Sequence, residues 1–410
     1  MLLFSLLLGC FEADQNQGAE ITFYRDVEPI VQQHCVRCHQ ADGQGPGDFT
    51  DPKTVQVMAE AILSSIESKE MPPPAADPEC RDYVDSESFH FPMEKAEVIS
   101  KWLDEGTPLG DVSDAQQYEN INELENPDLF VQISEPFSPN FDSEANPGNQ
   151  YRCFALEHGR TEPFYITAMH PIIDEPSIVH HVVVARANRN GIIEGADRPQ
   201  GTNCIRNGIF IDNFEDGMMI GGWAPGMQPT ILEDDVGILI QPDDYIVIQM
   251  HYYQNPKLDN PVDQSGYAFV TTDEVDHSAM MLPLGFQDFN IPAGDPNYTD
   301  SSSYSLPFGF TIWGIFPHMH VLGKAYEFSV TNGDETTCLA RSDRYDFENQ
   351  LTYMFKKEYR FEPDSIFNSS CTWNNAVDNP DQVNEEAQNV SYGERTDEEM
   401  CYGFSLISFN

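Results

Sequence analysis

The chain has 410 residues, and 40% of them are hydrophobic. That is length for about two to four domains with ordinary globular cores. Against 21 basic residues stand 68 acidic ones, a net charge of −47, which excludes nucleic acid and anionic membrane surfaces as partners. The acids are spread along the chain rather than blocked, which favours adaptation to salt and solubility over steering of a cationic partner.

In chain order, residues 1–20 read as a lipoprotein signal and tether. The run MLLFSLLLGC is too short to span a bilayer and reads as a targeting segment. Its Leu-Leu-Gly-Cys ending resembles a bacterial lipobox, with cleavage before Cys10 and acylation of its thiol. The expected location is therefore an exported, periplasmic or cell-surface lipoprotein, anchored in the outer membrane. The lipid would be its one attachment to a membrane. No basic residue precedes the run, which leaves open whether the chain starts here.

Residues 21–110 carry helical patterning. Asp26 to Val31 opens a helix leading to Cys35. Val55 to Ser68 is a second, with Met58, Ile62 and Ile66 on one face. Met93 to Glu105 is a third, stopped by Gly106 and Pro108. Residues 111–128 form an acidic linker. From Leu129 the texture becomes short β-rich runs between Gly, Pro, Asn and Asp clusters: Phe164 to Ala168, Ile178 to Val184, Tyr245 to Tyr253, Phe310 to Phe316 and Ala325 to Val330. These predict antiparallel sandwiches. The span is too long for one, so two are expected, 129–281 and 282–410, with the break near Met281.

His34-Cys35-Val36-Arg37-Cys38-His39 contains Cys-x-x-Cys-His. In an exported chain that spacing lets two thiols bond the haem vinyl groups while the next histidine ligates iron. Cys35, Cys38 and His39 are thus candidates to hold a covalent haem c. Met71, in Lys69-Glu70-Met71-Pro72-Pro73-Pro74, is the candidate sixth ligand, since prolines can present a thioether on an extended loop. Met58 and Met93 are the alternatives. Residues 21–109 resemble a small class I cytochrome c, closing helix and Trp102 included.

Four pieces of the β region carry further metal-ligand chemistry: Val179-His180-His181-Val182, Gln249-Met250-His251-Tyr252, Pro317-His318-Met319-His320 and Asp397-Glu398-Glu399-Met400-Cys401. His318 and His320, at i and i+2, can share one strand face. Neighbours His180 and His181 point to opposite faces of an ideal strand. They can serve one ion only at a strand end or bulge, or through different ring nitrogens.

Together and in this order the four pieces resemble the copper type II, ascorbate-dependent monooxygenases, from about Leu129 to the C-terminus. The resemblance implies two jelly-roll-like antiparallel β-sandwiches, each with one copper, facing across an open, solvent-filled cleft. It implies an electron-transfer site at His180, His181 and His251 and a catalytic oxygen site at His318, His320 and Met400. Imidazole suits both copper oxidation states, and a thioether favours Cu(I). Tyr151, in Tyr151-Arg152-Cys153, would lie near the first site, and Gln249 would support it from behind. Cys153 would pair with Cys204, and Cys371 with Cys401. Cys80 and Cys338 would either bridge the helical and catalytic parts or stay free.

Peptide-hydroxylating members of that family place an arginine two residues before His-x-His, and an asparagine and a tyrosine after the copper methionine. Here those positions are Phe316, Tyr402 and Phe404, which points to a small apolar or aromatic substrate. The expected function is a dicopper monooxygenase that hydroxylates a C–H bond with O2. Its electrons would come through the fused haem from a donor, or from ascorbate. The alternative is a copper and haem electron-transfer or binding protein without hydroxylase activity.

Overall fold

A computed structural model of the chain describes residues 20–41, 43, 45–118, 123–142, 148–204, 216–233, 235–384, 386, 388–393 and 395–409. Cys10, most of the tether and residues 119–122 of the linker lie outside the described residues. Among the described residues no helix is long and apolar enough to cross a membrane.

The N-terminal part is a small helical unit. A wide turn over Phe23–Val27 runs into the helix Glu28–His34, followed by Pro52–Glu67, a single turn at Ser86–Phe89, and Met93–Asp104. The second helix starts as its sequence dictates. Asp51 caps it by accepting from the Lys53 amide at 3.1 Å, and Pro52 fills the first position, where no amide is needed. Its buried face is Val55, Ala59, Ile62 and Ile66, which includes the expected Ile62 and Ile66, while Met58 packs at the edge, partly buried. That face packs with Phe23, Val31, Ile99 and Trp102.

Between Glu67 and Ser86 the chain leaves this unit as an extended strap laid along the second sandwich. The Asp77 amide donates to the Arg341 carbonyl at 2.7 Å, the Val84 amide to the Met354 carbonyl at 2.8 Å, and the Ala76 amide to the Tyr353 hydroxyl at 2.9 Å. A disulfide from Cys80 to Cys338 fastens the strap, which resolves the bridge-or-free alternative as a bridge. Cys153–Cys204 and Cys371–Cys401 pair as the resemblance implied.

The β region holds two cores, one for each sandwich, but the sandwiches are not separate. A nine-stranded sheet runs through both. Leu129–Gln132, Gly266–Thr272, Phe164–Ile172 and Val236–Ile240 back the first core. His277–Gly285, Tyr402–Phe409, Phe310–His318 and Tyr353–Phe361 back the second. The halves join where His277 to Ala279 pair in parallel with Val236 to Ile238. Met281, where a break was expected, lies inside that joining strand. Its side chain enters the first core while Leu284 enters the second. Each core is closed by its own antiparallel sheet. Asn149–Glu157, Tyr245–Tyr253, Val179–Ala187 and Gly217–Trp223 cover the first; Tyr298–Leu306, Ser365–Trp373, Gly323–Asn332 and Glu335–Ser342 cover the second.

Candidate metal centres

The first cluster forms on two neighbouring strands of the first sandwich. Val179 pairs with Tyr252 and His181 with His251, so His180 is the extra residue of a bulge. A bulge turns one side chain out of the regular alternation, and this one brings both consecutive histidines to one side. The Nδ1 atoms of His180 and His181 lie 2.9 Å apart, and those of His251 and His181 lie 3.4 Å apart. One ligand atom from each ring falls within 4.8 Å of the other two. The far nitrogens are engaged: His251 Nε2 donates to Asn149 Oδ1 at 2.9 Å, and His180 Nε2 to the Glu348 carboxylate. A protonated Nε2 leaves Nδ1 as the lone-pair donor, so these rings offer their convergent atoms to a metal. Burial and the neighbouring imidazoles drive His181 and His251 well below the usual histidine range, which keeps them neutral.

Tyr151 lies beside this cluster, stacked on His251 at 4.1 Å and 7°. Burial pushes its hydroxyl up to about 12, and that hydroxyl meets Thr396 at 3.3 Å. The Gln249 amide is directed at the Cys204 sulfur, 3.6 Å away, so it braces the disulfide on the cluster's own face of the sheet.

The second cluster forms where the strand Phe310–His318 ends. The His318 and His320 rings stand at 5.2 Å and 84°. Their hydrogen bonds run the opposite way: His318 Nδ1 donates to Gln350 Oε1 at 2.6 Å and His320 Nδ1 to the Glu398 carbonyl at 3.0 Å. Nε2 is therefore the free donor of each ring. Burial drops His318 to about 4 and His320 to about 3. Met400 is buried, with its chain neighbour Cys401 tied to Cys371. Glu399, which the motif around Met400 contains without marking it out, fixes the register of this centre. Its carboxylate accepts from the amides of His320 at 2.9 Å, Leu322 at 2.7 Å and Met400 at 3.2 Å, and from Trp373 Nε1 at 2.9 Å. Burial pushes it up to about 7.

The donor sets fit copper. The first offers three imidazole nitrogens; the second offers two imidazoles and a buried methionine on the adjoining segment. Phe316 and Phe404 stand 5.9 and 6.0 Å from the His318 ring, and Tyr402 turns its hydroxyl to Gln287 Nε2 at 2.7 Å. The open cleft implied by the resemblance is not what separates the centres. The Phe347 ring contacts a histidine of each, 6.5 Å from His181 and 6.1 Å from His320. Contacts of Tyr151 with Thr396 and of His180 with Glu348 also cross the gap.

In the helical unit, Cys35 and Cys38 are the free cysteines among the described residues. The His39 amide donates to the Cys35 carbonyl at 3.0 Å, so thiols and imidazole share one tight turn. His39 Nδ1 donates to the Pro46 carbonyl at 2.9 Å, leaving Nε2 for a metal. A Cβ at Gly45 would fall 2.7 Å from that ring, so glycine is required for the approach. These features fit haem attachment and one axial ligand. Met71 is 41% exposed and lines a hollow with Ile66, Phe91, Met93 and Arg344. Met58 instead packs near Gly47 and Phe49, beside the His39 ring. The hollow that Met71 lines does not include Cys35, Cys38 or His39.

Two adjoining β-sandwiches, each presenting neutral imidazoles with a free ring nitrogen, define a two-sandwich protein with a candidate metal centre in each half. The profile of the N-terminal domain of copper type II ascorbate-dependent monooxygenases matches residues 138–260, and that of the C-terminal domain matches residues 287–406. Together they cover more than half of the chain, which belongs to that copper- and ascorbate-dependent family. It is similar to dopamine beta-hydroxylase of Canis lupus familiaris, 22% identical over 269 residues, spanning 58% of this chain and 40% of that protein. Among solved structures it has matches to an allantoicase (10% identity, 58% of this chain and 81% of the other, TM-score 0.17). Another is the VP2 subviral particle of infectious bursal disease virus (12% identity, 72% and 74%, TM-score 0.19). Likenesses that slight carry no argument.

Proposed function

We propose that this protein hydroxylates a C–H bond of a small apolar or aromatic substrate with O2, with one copper held by His180, His181 and His251 and another by His318, His320 and Met400. The observation that carries this reading is the opposed hydrogen bonding of the two clusters, which leaves Nδ1 free and convergent in the first and Nε2 free in the second. The two coppers supply one electron each and the oxygen-binding position, so that substrate, O2, two electrons and two protons give an alcohol and water. The chain's own part is to hold the imidazoles neutral, fix their faces and keep the site dry. Phe316 and Phe404 line the approach to His318 with rings, which suits an apolar or aromatic substrate.

A c-type haem on Cys35 and Cys38, with His39 and Met71 as axial ligands, is proposed as the electron input, with a further donor or ascorbate reducing the protein. The free thiol pair and the His39 to Pro46 hydrogen bond support it. The three disulfides support export to an oxidising compartment, and a lipid at Cys10 of a periplasmic or surface lipoprotein remains part of this proposal. Metal analysis with oxygen uptake tests the core of it. Two coppers per chain and oxygen consumption matched by a hydroxylated product are expected from a screen of aromatic and aliphatic substrates. Two coppers with no product from any reductant would leave an electron-transfer protein instead.

A further inference from the structure

The segment that joins the strands Glu335–Ser342 and Tyr353–Phe361 contains no histidine, cysteine or methionine. In the structure it touches both candidate copper centres and the strap of the helical unit. Asp346 shapes the turn, its carboxylate accepting from the Glu348 amide at 2.9 Å and its carbonyl from the Asn349 amide at 3.2 Å. From that turn Glu348 reaches His180 Nε2, Phe347 contacts both His181 and His320, and Gln350 reaches His318 Nδ1. The Gln350 amide is not free to rotate. Its Nε2 donates to the Phe347 carbonyl at 2.9 Å, which commits Oε1 to His318. On the other side Asn349 Nδ2 donates to the Pro74 carbonyl at 2.9 Å, and Arg344 to the Lys69 carbonyl at 2.7 Å. Tyr345 closes the base, donating to the Met319 carbonyl at 2.6 Å.

We propose that Phe347–Gln350 is a positioning loop shared by both copper centres: Glu348 and Gln350 select the ring nitrogen that His180 and His318 present, and Phe347 excludes water from the space between the centres. This rests on the dicopper reading above. The physical basis is the tautomer. An acceptor on one ring nitrogen holds the proton there and frees the other for metal, and it also fixes the ring plane. The acceptors act in opposite senses, on Nε2 of His180 and on Nδ1 of His318, so one rigid turn assigns a different nitrogen to each centre. The Glu348 side chain is 69% exposed, so its ion pair adds little stability; its effect is orientation. Phe347 meets the His181 and His320 rings nearly perpendicular, at 89° and 86°, so one apolar ring contacts a histidine of each centre.

Two readouts test it, one needing no metal. In metal-free protein with 15N-labelled histidine, long-range proton–nitrogen spectra should show His180 protonated at Nε2 and His318 at Nδ1. Glu348→Ala should turn the His180 signals into a tautomer mixture and leave His318 alone. Gln350→Met should do the reverse. Glu348→Gln and Gln350→Glu, which keep an acceptor oxygen, should restore the wild-type pattern. With copper, the first centre is read by electron paramagnetic resonance in a His318→Ala background and the second in a His251→Ala background. The acceptor-less variants should shift only their own centre's signal and weaken its copper by about ten- to a hundredfold. Phe347→Ala should keep both coppers and divert oxygen to peroxide, while Phe347→Leu should not. Unchanged tautomers and spectra in Glu348→Ala and Gln350→Met, with full coupling in Phe347→Ala, would overturn the loop while leaving a working dicopper enzyme. A wild-type protein that binds no copper would instead overturn the reading beneath it.

Discussion

At the scale of single residues the ring nitrogens decide which atoms face a metal. His318 is half-buried, kept neutral and held by Gln350, so its loss removes one of two imidazoles at a centre with little to replace it. His318→Ala should abolish product formation while the three-histidine cluster still loads one copper, giving a copper count of about one per chain by metal analysis. Met400 adds the thioether. X-ray absorption of the reduced protein should show a sulfur neighbour to copper that vanishes in Met400→Ala; a sulfur signal that persists would remove Met400 from the site. The histidines and Met400 stand out in the sequence through the resemblance of four short pieces, in order, to one family. Their partners were not. Glu348 lies 168 residues from His180 and Gln350 lies 32 from His318, and neither spacing has a local signature. The His180 bulge was legible only as a condition: two adjacent histidines could share an ion if the strand broke its alternation there.

At the scale of elements the three helices and the long strands follow their patterns, because buried faces at helical or alternating spacing leave few other solutions. The strap was not legible. Only Lys69 to Pro74 stands out in the sequence, as a loop held extended by prolines, and the residues after it find their place only through long-range pairing with Arg341, Tyr353 and Met354. Its anchor is the Cys80–Cys338 disulfide, which closes a separation of 258 residues. Changing both cysteines to serine should destabilise the docked strap by about 2–4 kcal/mol. Hydrogen exchange should then rise at Asp77 and Val84 and stay unchanged in the strand Tyr245–Tyr253. Within the helical unit, His34 is buried with its Nδ1 on the Ser88 carbonyl at 3.0 Å and Lys95 at 2.9 Å from Nε2. Burial drops it from 6.5 to about 4. A depressed histidine means the unfolded chain binds more protons between those values. The stability it confers is complete above 6.5 and is lost as pH falls toward 4. His34→Gln should flatten the pH dependence of the helical unit's melting across that window.

At the scale of the whole molecule, the helical unit is seated against both sandwiches. Its strap lies on the second, and the Cys38 sulfur packs so closely on Gly226 of the first that a methyl group there would overlap it. Gly226 follows Trp223, whose strand position pairs with Val182, the residue after His181. A haem on Cys35 and Cys38 would therefore be attached a short chain path from the first copper cluster. A docked donor needs no diffusional encounter, because tethering fixes a high effective concentration. Mixing fully reduced protein with oxygen and substrate should oxidise the haem in step with product, and His251→Ala should leave it reduced. Gly226→Ala, strained at a φ of +81° and overlapping Cys38, should lift the unit from its seat. It should slow haem oxidation while turnover fed by ascorbate keeps its rate. If wild-type haem stays reduced through turnover, or Gly226→Ala oxidises as fast as wild type, electrons reach the copper by another route and the helical unit serves some other end.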